Sequence, residues 1–365
     1  MPQSRAGTGN TSSVGAGYLP GLQAAFKEQT QADGETATTF TRVLSSRRLR
    51  LSDSKVRSGR APGVTVATLP SDPAADPIEV LTESDCVAPI TNLFVPGDTS
   101  SAIVVGDVRR VLARIPSGVF QTCVTSPPYW SLRDYGLDGQ IGLEASINDY
   151  LDALVTAFGE VRRVLRNDGT LWLNIGDSYT SGGRKWRAPD KKNPGRAMDT
   201  RPKTPDGLKP KDLIGVPWRL AFKLQEAGWY LRTEIIWNKP NAQPESVADR
   251  PTRSHEYVFL LSKSERYYYD IDAVRGPNDR RQRTVWDIKT QVTPGETNFA
   301  VFPTALVEPC ILSATHPTDF VLDPFFGTGT TGVVARELDR RFFGIELHPE
   351  YVEIAKRRLA CSDSG

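Results

Sequence analysis

The chain has 365 residues, of which 39% are hydrophobic and 24% are charged, and its formal net charge is only +2. This balance predicts a soluble globular protein with one large domain or two smaller ones. No apolar run approaches the roughly 18 residues of a membrane span, and the first ten residues lack the apolar stretch of a secretory signal. The four cysteines and three histidines are scattered, which disfavours a zinc site or a disulfide framework. We therefore expect a cytoplasmic protein without membrane contact or bound metal.

Residues 1–95 are rich in Ser, Thr, Gly, Ala and Pro and show only weak periodicity. This composition predicts a largely disordered N-terminal extension. The ordered domain, residues 96–365, is expected to begin with a short strand at residues 103–105. That strand ends in Gly106-Asp107, and a short helix over residues 108–115 follows it.

The next apolar run, residues 119–124, leads into a Ser-Pro-Pro-Tyr motif. Pro127 and Pro128 fix φ and lack a backbone donor, so the strand must stop there with carbonyls free to accept hydrogen bonds. The Ser126 hydroxyl, these carbonyls and the Tyr129 ring can together hold a flat ring and accept protons from an amino group on it. A rigid strand-to-loop turn is the alternative interpretation.

An amphipathic helix is predicted after this motif, with Ser146 as its N-cap and apolar residues at helical spacing up to Leu165. The sequence Asn-Asp-Gly at residues 167–169 is expected to end the helix. A buried strand at residues 171–175 comes next.

A basic segment follows this strand. Residues 181–212 contain ten Lys or Arg residues against four Asp, with five prolines among them. The segment is too broken for a helix and too polar for a core, so it is either a solvated loop or a flexible arm that neutralises phosphates. Its position just after the Ser-Pro-Pro-Tyr region favours the arm. The candidate phosphate contacts in it are Arg184, Lys185, Arg187, Lys191 and Lys192.

The rest of the chain alternates between strands and helices. A helix with Pro217 in its first turn is predicted to end at Gly228, and strands are predicted at residues 231–237, 257–261 and 266–269. A helix at residues 304–313, a strand at 320–323, a helix at 330–338, a strand at 341–345 and a helix at 350–359 complete the pattern. Such alternation implies a mostly parallel sheet covered on both faces.

A glycine-rich turn lies between the strand at 320–323 and the helix that begins at Thr330. Its glycines let a ligand approach the backbone, and the free amides of the helix N-terminus suit a carboxylate or a phosphate. Glu346 ends the next strand, 23 residues after Asp323, where an acid can accept hydrogen bonds from ribose hydroxyls. The ligand could be NAD or S-adenosylmethionine, because the order Gly-Thr-Gly-Thr-Thr-Gly also matches the dinucleotide spacing. A turn with purely structural glycines is the third interpretation.

With both motifs in view, residues 103–359 resemble the β class of amino-directed DNA methyltransferases, in which the catalytic motif precedes the cofactor motif. Within that class the chain is most similar to the site-specific N4-cytosine enzymes with a Thr-Ser-Pro-Pro-Tyr motif. Protein-glutamine methyltransferases carry a related motif, but after their cofactor motif. The resemblance implies a Rossmann-like α/β fold with circularly permuted motif order and a mostly parallel, seven-stranded sheet with helices on both faces.

The resemblance also assigns site residues. The catalytic loop would contain Ser126, Pro127, Pro128 and Tyr129. S-adenosylmethionine would be bound by Asp107, Phe302, Pro303, Asp323, Pro324, Phe325, Gly327, Gly329, Thr330, Thr331 and Glu346. DNA or the flipped base would be contacted by Lys239, Arg250, Arg253 and His255 in addition to the basic segment, with further target recognition at about residues 272–294.

The implied reaction is methyl transfer to the exocyclic N4 of a cytosine flipped out of duplex DNA. The enzyme would be the modification partner of a restriction endonuclease in a prokaryote or phage, as a monomer or homodimer. Ser126 favours cytosine, because adenine-N6 enzymes more typically have Asp or Asn there. Methylation at cytosine C5 would need a cysteine nucleophile, whereas Cys123 lies inside a predicted strand and Cys310 inside a predicted helix. The alternatives are an adenine-N6 enzyme, a methyltransferase of RNA or protein, a DNA-binding module with an inactive catalytic loop, and a nicotinamide dehydrogenase.

Overall fold

A nine-stranded sheet organises the part of the chain that the computed structural model describes, which comprises residues 78–83, 100–180, 203–291 and 301–362. All of these residues belong to one compact unit, Ser71–Gly365. The strands are β1 Ile78–Thr82, β2 Ser101–Val105, β3 Phe120–Thr125, β4 Leu165–Ile175, β5 Tyr230–Asn238, β6 His255–Ser262, β7 Val285–Asp287, β8 Phe320–Asp323 and β9 Arg341–Glu346. The α-helices are α1 Val108–Leu112, α2 Ile147–Val164, α3 Val216–Glu226, α4 Thr304–Ala314, α5 Thr330–Glu337 and α6 Pro349–Ser362.

The strand order is β1-β2-β9-β8-β3-β4-β6-β5-β7. Neighbours from β1 to β4 are parallel, β6 is antiparallel to β4 and to β5, and β7 is parallel to β5. The predicted, mostly parallel α/β sheet is therefore confirmed. The predicted number of strands was too low by two, because β1 and β7 extend the sheet at its two edges.

Two apolar clusters show that helices cover both faces. Leu171 and Leu173 of β4 pack with helices α1, α2 and α3, whereas Trp172 packs with α4, α5 and α6. Successive side chains of a strand point to opposite faces, so the two helix groups lie on opposite sides of the sheet. Among the described residues, no helix combines the length and the apolar character needed to cross a bilayer.

Two local predictions were wrong. Helix α2 ends at Val164 and β4 begins at the next residue, so residues 167–169 lie inside the strand rather than after the helix. The cause is the extended backbone of Leu165 (ψ 146°), which pairs with Phe120 of β3. Residues 266–269 form no strand, since their backbone makes isolated hydrogen bonds such as Tyr268 N–H to Asp168 C=O. Strand β1 and Glu83 are the described part of residues 1–95, so the largely disordered character of this segment stays a prediction.

Two glycines, Gly332 of the glycine-rich pattern and Gly344 of β9, make room for one aromatic ring. A Cβ atom on Gly332 would lie 2.7 Å from the Phe326 ring, and a Cβ atom on Gly344 would overlap the same ring. Phe326 is 3% exposed and stacks on Phe342 at 5.4 Å. The third glycine of the Gly-Thr-Gly-Thr-Thr-Gly pattern thus has a packing role.

We expect Gly344→Ala to lower the free energy of unfolding by about 1–3 kcal/mol, because the added methyl group overpacks the Phe326 site. The matched control is Gly159→Ala, at an exposed position inside α2 with no atom within 4 Å of a new Cβ. That change is expected to stabilise the protein by about 0.5–1 kcal/mol through helix propensity. Urea denaturation of both variants measures the difference, and equal shifts would contradict the packing role of Gly344.

Candidate active site

The Ser-Pro-Pro-Tyr motif and the glycine-rich turn meet at the carboxyl ends of two neighbouring parallel strands. Strand β3 pairs with β8, with Cys123 opposite Leu322. Just beyond this pair, the Thr125 hydroxyl donates a hydrogen bond of 2.7 Å to the Asp323 carboxylate. The structure therefore brings together two motifs that lie about 200 residues apart in the sequence, as the resemblance implied.

The Ser-Pro-Pro-Tyr loop leaves one proline carbonyl free to accept a hydrogen bond, whereas two were expected. The Pro128 carbonyl accepts a hydrogen bond of 2.8 Å from the Tyr150 hydroxyl of α2. The Pro127 carbonyl accepts no hydrogen bond from any residue in the described part of the chain. Ser126, next to it, is partly buried. Ser126 and Pro127 thus form a pair of adjacent acceptors, while Pro128 serves to hold the loop.

The Tyr129 side chain is fixed at both ends. Its hydroxyl donates a hydrogen bond of 2.8 Å to Glu256, and its ring lies so close to Gly176 that a Cβ atom there would be 2.7 Å from the ring. Burial and the charge of Glu256 raise the pKa of Tyr129 well above its usual value, while a hydrogen bond from Ser126 acts in the opposite direction. The phenol therefore remains protonated and acts as a donor.

Glu256 belongs to a polar network that the sequence did not reveal. Besides Tyr129, its carboxylate accepts from the Asn174 side-chain amide at 3.3 Å and pairs with Lys239 at 2.5 Å. Lys239 also lies 4.1 Å from the centre of the Trp237 ring. Lys239 was expected to contact DNA or the flipped base, and Asn174 stands out as a polar residue in the otherwise apolar sequence Leu-Trp-Leu-Asn-Ile.

A cavity of about 260 Å³ opens beside Tyr129. Its lining includes residues 129–132 and 176–180 together with Lys203, Pro205, Ile214 and Val216. Thr180, just before the basic segment, and Lys203, within it, both line the cavity. Its candidate phosphate contacts, Arg184, Lys185, Arg187, Lys191 and Lys192, lie outside the described residues.

Asp177 forms the polar wall of this cavity. One carboxylate oxygen accepts from the backbone amides of Gly215 and Val216 at the start of α3, each at 2.9 Å. The other lies 3.9 Å from Arg253, whose Nη1 is buried and makes no hydrogen bond in the described part of the chain. Asp177 was not among the site residues expected from the sequence.

The other candidate DNA contacts lie in the same region, but each has an internal partner. Arg250 pairs with Glu245 at 2.6 Å and lies 3.9 Å from the centre of the Tyr179 ring. His255 meets Tyr257 edge-on at 5.4 Å, and burial lowers its pKa. The predicted recognition region, residues 272–294, includes strand β7, which lies at the edge of the sheet. Contact of these residues with DNA stays a prediction.

In the cofactor half, Asp323 is a buried acceptor. It is 1% exposed and accepts from the hydroxyls of Thr125 and Thr331 and from the Phe325 amide, at 2.7, 2.6 and 3.1 Å. Burial raises its pKa to about 6, although these hydrogen bonds oppose the shift.

The Thr330 hydroxyl accepts from Arg358 at 3.1 Å. Thr330 and Thr331 thus use their hydroxyls within the protein, and their contact with a cofactor stays a prediction, as it does for the buried Pro324.

Glu346 lies across the glycine-rich turn from Asp323. Its two carboxylate oxygens accept from the backbone amides of Gly327 and His348 at 2.7 and 2.8 Å. Burial raises the pKa of Glu346 to about 7. The carboxyl end of β2 lies alongside, since the Gly106 amide donates to the Glu346 carbonyl at 3.0 Å.

Asp107 follows directly after Gly106. Arg109 holds its carboxylate with two side-chain bonds of 3.0 and 2.6 Å. Burial works to raise the pKa of Asp107, but the hydrogen bonds and charge of Arg109 outweigh it and keep the pKa below its usual value. This arginine was not expected from the sequence.

The turn and the acidic groups fit a nucleoside ligand such as S-adenosylmethionine. Gly327 and Gly329 have φ of 54° and 83°, and the space beside Gly327 is open, because a Cβ atom there would meet only the Phe325 carbonyl, at 4.0 Å. Glu346 and Asp107 supply acceptors at neighbouring strand ends. Pro303 starts α4, and Phe302 packs against the core beside it. Residues 298–300 of that motif lie outside the described residues.

The cysteines are placed as the sequence predicted. Cys123 is buried inside β3 and Cys310 inside α4, where its thiol donates to the Leu306 carbonyl. Burial raises the pKa of both thiols. Neither is suited to the nucleophilic attack that cytosine-C5 methylation requires.

Comparison with known proteins agrees with this geometry. Residues 120–357 match the family model for N6 and N4 DNA methylases. The chain is 64% identical over 264 residues to the Type II methyltransferase M.Cfr9I of Citrobacter freundii, covering 71% of this chain and 88% of that protein. It is 62% identical over 266 residues to the Type II methyltransferase M.SmaI of Serratia marcescens, covering 71% and 91%.

Two solved structures are similar in fold. The PvuII DNA methyltransferase, named as cytosine-N4-specific, matches with a TM-score of 0.55 at 22% identity and covers 70% of this chain and 85% of its own. A Thermus thermophilus protein, named as a putative DNA modification methylase and solved with S-adenosyl-L-methionine, matches with a TM-score of 0.50 at 27% identity. Coverage is 72% of this chain and 94% of that one. The chain therefore belongs to the S-adenosylmethionine-dependent DNA methylase family that modifies adenine N6 or cytosine N4.

Proposed function

We propose that this protein transfers a methyl group to the exocyclic N4 of cytosine at a specific site in duplex DNA. The observation that carries the proposal is the adjacency of the Ser126 hydroxyl and the unused Pro127 carbonyl, tied to the cofactor turn by the bond from Thr125 to Asp323. The description of the matching family as DNA methylases supports DNA as the substrate, and the two bacterial relatives, named as Type II methyltransferases, support a restriction-modification system as the context.

The geometry suits an amine nucleophile. The lone pair of an exocyclic amine is delocalised into the base ring, which makes the nitrogen a poor nucleophile. If Ser126 and the Pro127 carbonyl accept its two N–H bonds, the nitrogen moves towards sp³ geometry and its lone pair is directed out of the ring. S-adenosylmethionine, when bound, supplies an electrophilic methyl group on a sulfonium. Positioning and electrostatics by this chain then account for catalysis, and the product proton leaves to water or to Ser126.

Tyr129 is placed to stack on a base that has left the duplex, because its ring borders the cavity of about 260 Å³. Ser126 is the side chain that favours cytosine over adenine. Incubation with duplex DNA and S-adenosylmethionine, followed by nucleoside analysis, tests the assignment. N4-methylcytosine is expected, and N6-methyladenine as sole product would overturn the choice of base. A competing RNA duplex separates DNA from RNA as substrate.

The cellular compartment and the partners of the protein follow from the same proposal. A modification enzyme of a restriction-modification system acts in the prokaryotic or phage-infected cytoplasm, as a monomer or homodimer, alongside a restriction endonuclease of the same specificity. Sequencing methylated bases in DNA from cells that express the protein identifies the recognised sequence. Methylation scattered without a common sequence would contradict site specificity.

We expect the basic segment to bind the phosphates of the DNA backbone. Replacing Arg184, Lys185 and Arg187 by Gln should weaken DNA binding and reduce the slope of log affinity against log salt by about 3, close to one per phosphate contact. The matched control is the same substitution at Arg110, Lys356 and Arg357, which are exposed and lie outside the predicted DNA-contacting regions. The affinity of both variants for DNA, measured over a range of salt concentrations, tests whether the segment binds phosphates. An unchanged slope in the Arg184, Lys185 and Arg187 variant would show that the segment is a solvated loop.

Binding of S-adenosylmethionine should depend on pH through Glu346. The ionised carboxylate is the better acceptor for ribose hydroxyls, and burial raises the pKa of Glu346 to about 7. Protonation therefore competes with binding, and the affinity should fall about fourfold between pH 8 and pH 6.5. Glu346→Gln should bind more weakly but without this pH dependence. Calorimetry at several pH values measures both, and a wild-type affinity that is constant over this range would contradict the role of Glu346.

A further inference from the structure

Glu256 is the common partner of the residues around the Tyr129 ring. Oε2 accepts from the Tyr129 hydroxyl at 2.8 Å and from the Asn174 amide at 3.3 Å, and Oε1 pairs with Lys239. Tyr129 lies in the loop after β3. Among the described hydrogen bonds of its side chain, the only long-range one is to this carboxylate. Charge-assisted hydrogen bonds of this kind are stronger than neutral ones.

The Glu256 carboxylate itself is rigidly held. Asn174 lies on β4, Glu256 on β6, and Lys239 follows the last residue of β5, and these three strands are neighbours in the sheet. The register places Trp237 opposite Glu256 and Ile175 opposite Tyr257. Glu256 is only 19% exposed in its side chain and Lys239 only 17%. Groups mounted on packed strands hold a functional side chain more accurately than groups on loops do.

Gly176 packs against the other side of the Tyr129 ring. A Cβ atom on Gly176 would lie 2.7 Å from Tyr129 Cε2 and 3.4 Å from the Glu256 side chain. The ring is thus confined between the backbone at Gly176 and the hydroxyl anchor at Glu256. Tyr129 and Gly176 both line the cavity described above.

We propose that Glu256 is a positioning residue that fixes the Tyr129 ring, through its hydroxyl, in the orientation that receives the flipped base. This inference rests on the proposed methylation of a flipped base. Glu256 does not touch the base or the cofactor; it acts through Tyr129. Without the anchor the ring can rotate away from Gly176, and the amine is held less accurately against Ser126 and Pro127.

A double-mutant cycle on the full-length protein tests this role. Tyr129→Phe removes the hydroxyl and keeps the ring, and Glu256→Ala removes the acceptor. Each change should lower kcat between about 10- and 100-fold with an unchanged KM for S-adenosylmethionine, because misplacement by a fraction of an ångström affects the chemical step most. The double variant should be no slower than the slower single variant. Glu234→Ala, an exposed glutamate on the neighbouring strand β5, is the matched control and should keep wild-type kcat.

Multiplicative losses in the double variant would show that Glu256 acts independently of Tyr129 and would overturn the proposal. Wild-type kcat in Tyr129→Phe would overturn it as well, even if Glu256→Ala fails to fold with Lys239 unpaired. Crystal structures of the unliganded variants give a readout that does not depend on the substrate, with the ring expected to leave its position against Gly176. If the wild-type protein methylates no DNA, the proposed function fails, while the ring positions still decide whether Glu256 is the anchor.

Discussion

Replacing Ser126 by Ala is expected to lower kcat about 10²–10³-fold, the cost typical of removing one preorganised hydrogen-bonding group from a reacting centre. The hydroxyl is one of two adjacent acceptors at the end of β3, and the other is a backbone carbonyl that a substitution cannot remove. With one acceptor left, the amine keeps more of its planar geometry and its lone pair stays delocalised. Single-turnover methylation of duplex DNA measures the loss.

The affinity for S-adenosylmethionine should stay within about twofold of the wild-type value, because the cofactor turn is anchored by Thr125 and Asp323 rather than by Ser126. The matched control is Ser117→Ala, an exposed serine that precedes the opposite end of β3. It should leave kcat unchanged. Wild-type turnover in Ser126→Ala would show that the Pro127 carbonyl alone activates the amine and would remove the main argument for cytosine.

Both halves of the site could be predicted from the sequence because each half is local. Two prolines must end a strand wherever it lies, and glycines at a strand-to-helix turn create an open backbone regardless of the partners around them. Parallel strands then bring these ends to one edge of the sheet. The bond from Thr125 to Asp323 is the consequence, and its two residues were within reach of sequence reasoning.

The network around Glu256 could not be predicted, because it depends on register. Asn174, Lys239 and Glu256 meet only once β4, β6 and β5 have paired in one alignment, and a shift by one residue would send Glu256 to the other face. The role of Tyr150 depends instead on how helix α2 packs on the sheet, since its hydroxyl donates to the Pro128 carbonyl from that helix. Strands β1 and β7 were missed because five and three residues are too few for a clear alternating pattern.

Asp323→Ala is expected to lower the free energy of unfolding by about 3 kcal/mol at pH 5, since it leaves three buried donors without an acceptor at roughly 1 kcal/mol each. The donors are the Thr125 hydroxyl, the Thr331 hydroxyl and the Phe325 amide. Because they come from β3, α5 and the turn between β8 and α5, the loss should also loosen the cofactor turn against the catalytic loop. Urea denaturation measures the stability. Asp168→Ala, an exposed aspartate at the start of β4, is the control and should change stability by less than about 0.5 kcal/mol.

The size of this effect should depend on pH in a defined direction. Burial raises the pKa of Asp323 to about 6 in the folded protein, above the usual value of 3.8, so the folded state binds the proton more tightly than the unfolded state does. The stability that this group contributes is therefore complete below pH 3.8 and is lost as the pH rises through 6. Asp323→Ala should cost less at pH 8 than at pH 5, because at pH 8 the wild-type protein already carries a desolvated charge. Asp323→Asn keeps an acceptor without that charge, so its stability should decline less over the same range. An equal cost of Asp323→Ala at both pH values would mean that the pKa of Asp323 is the same in the folded and unfolded states, and that its contribution is hydrogen bonding alone.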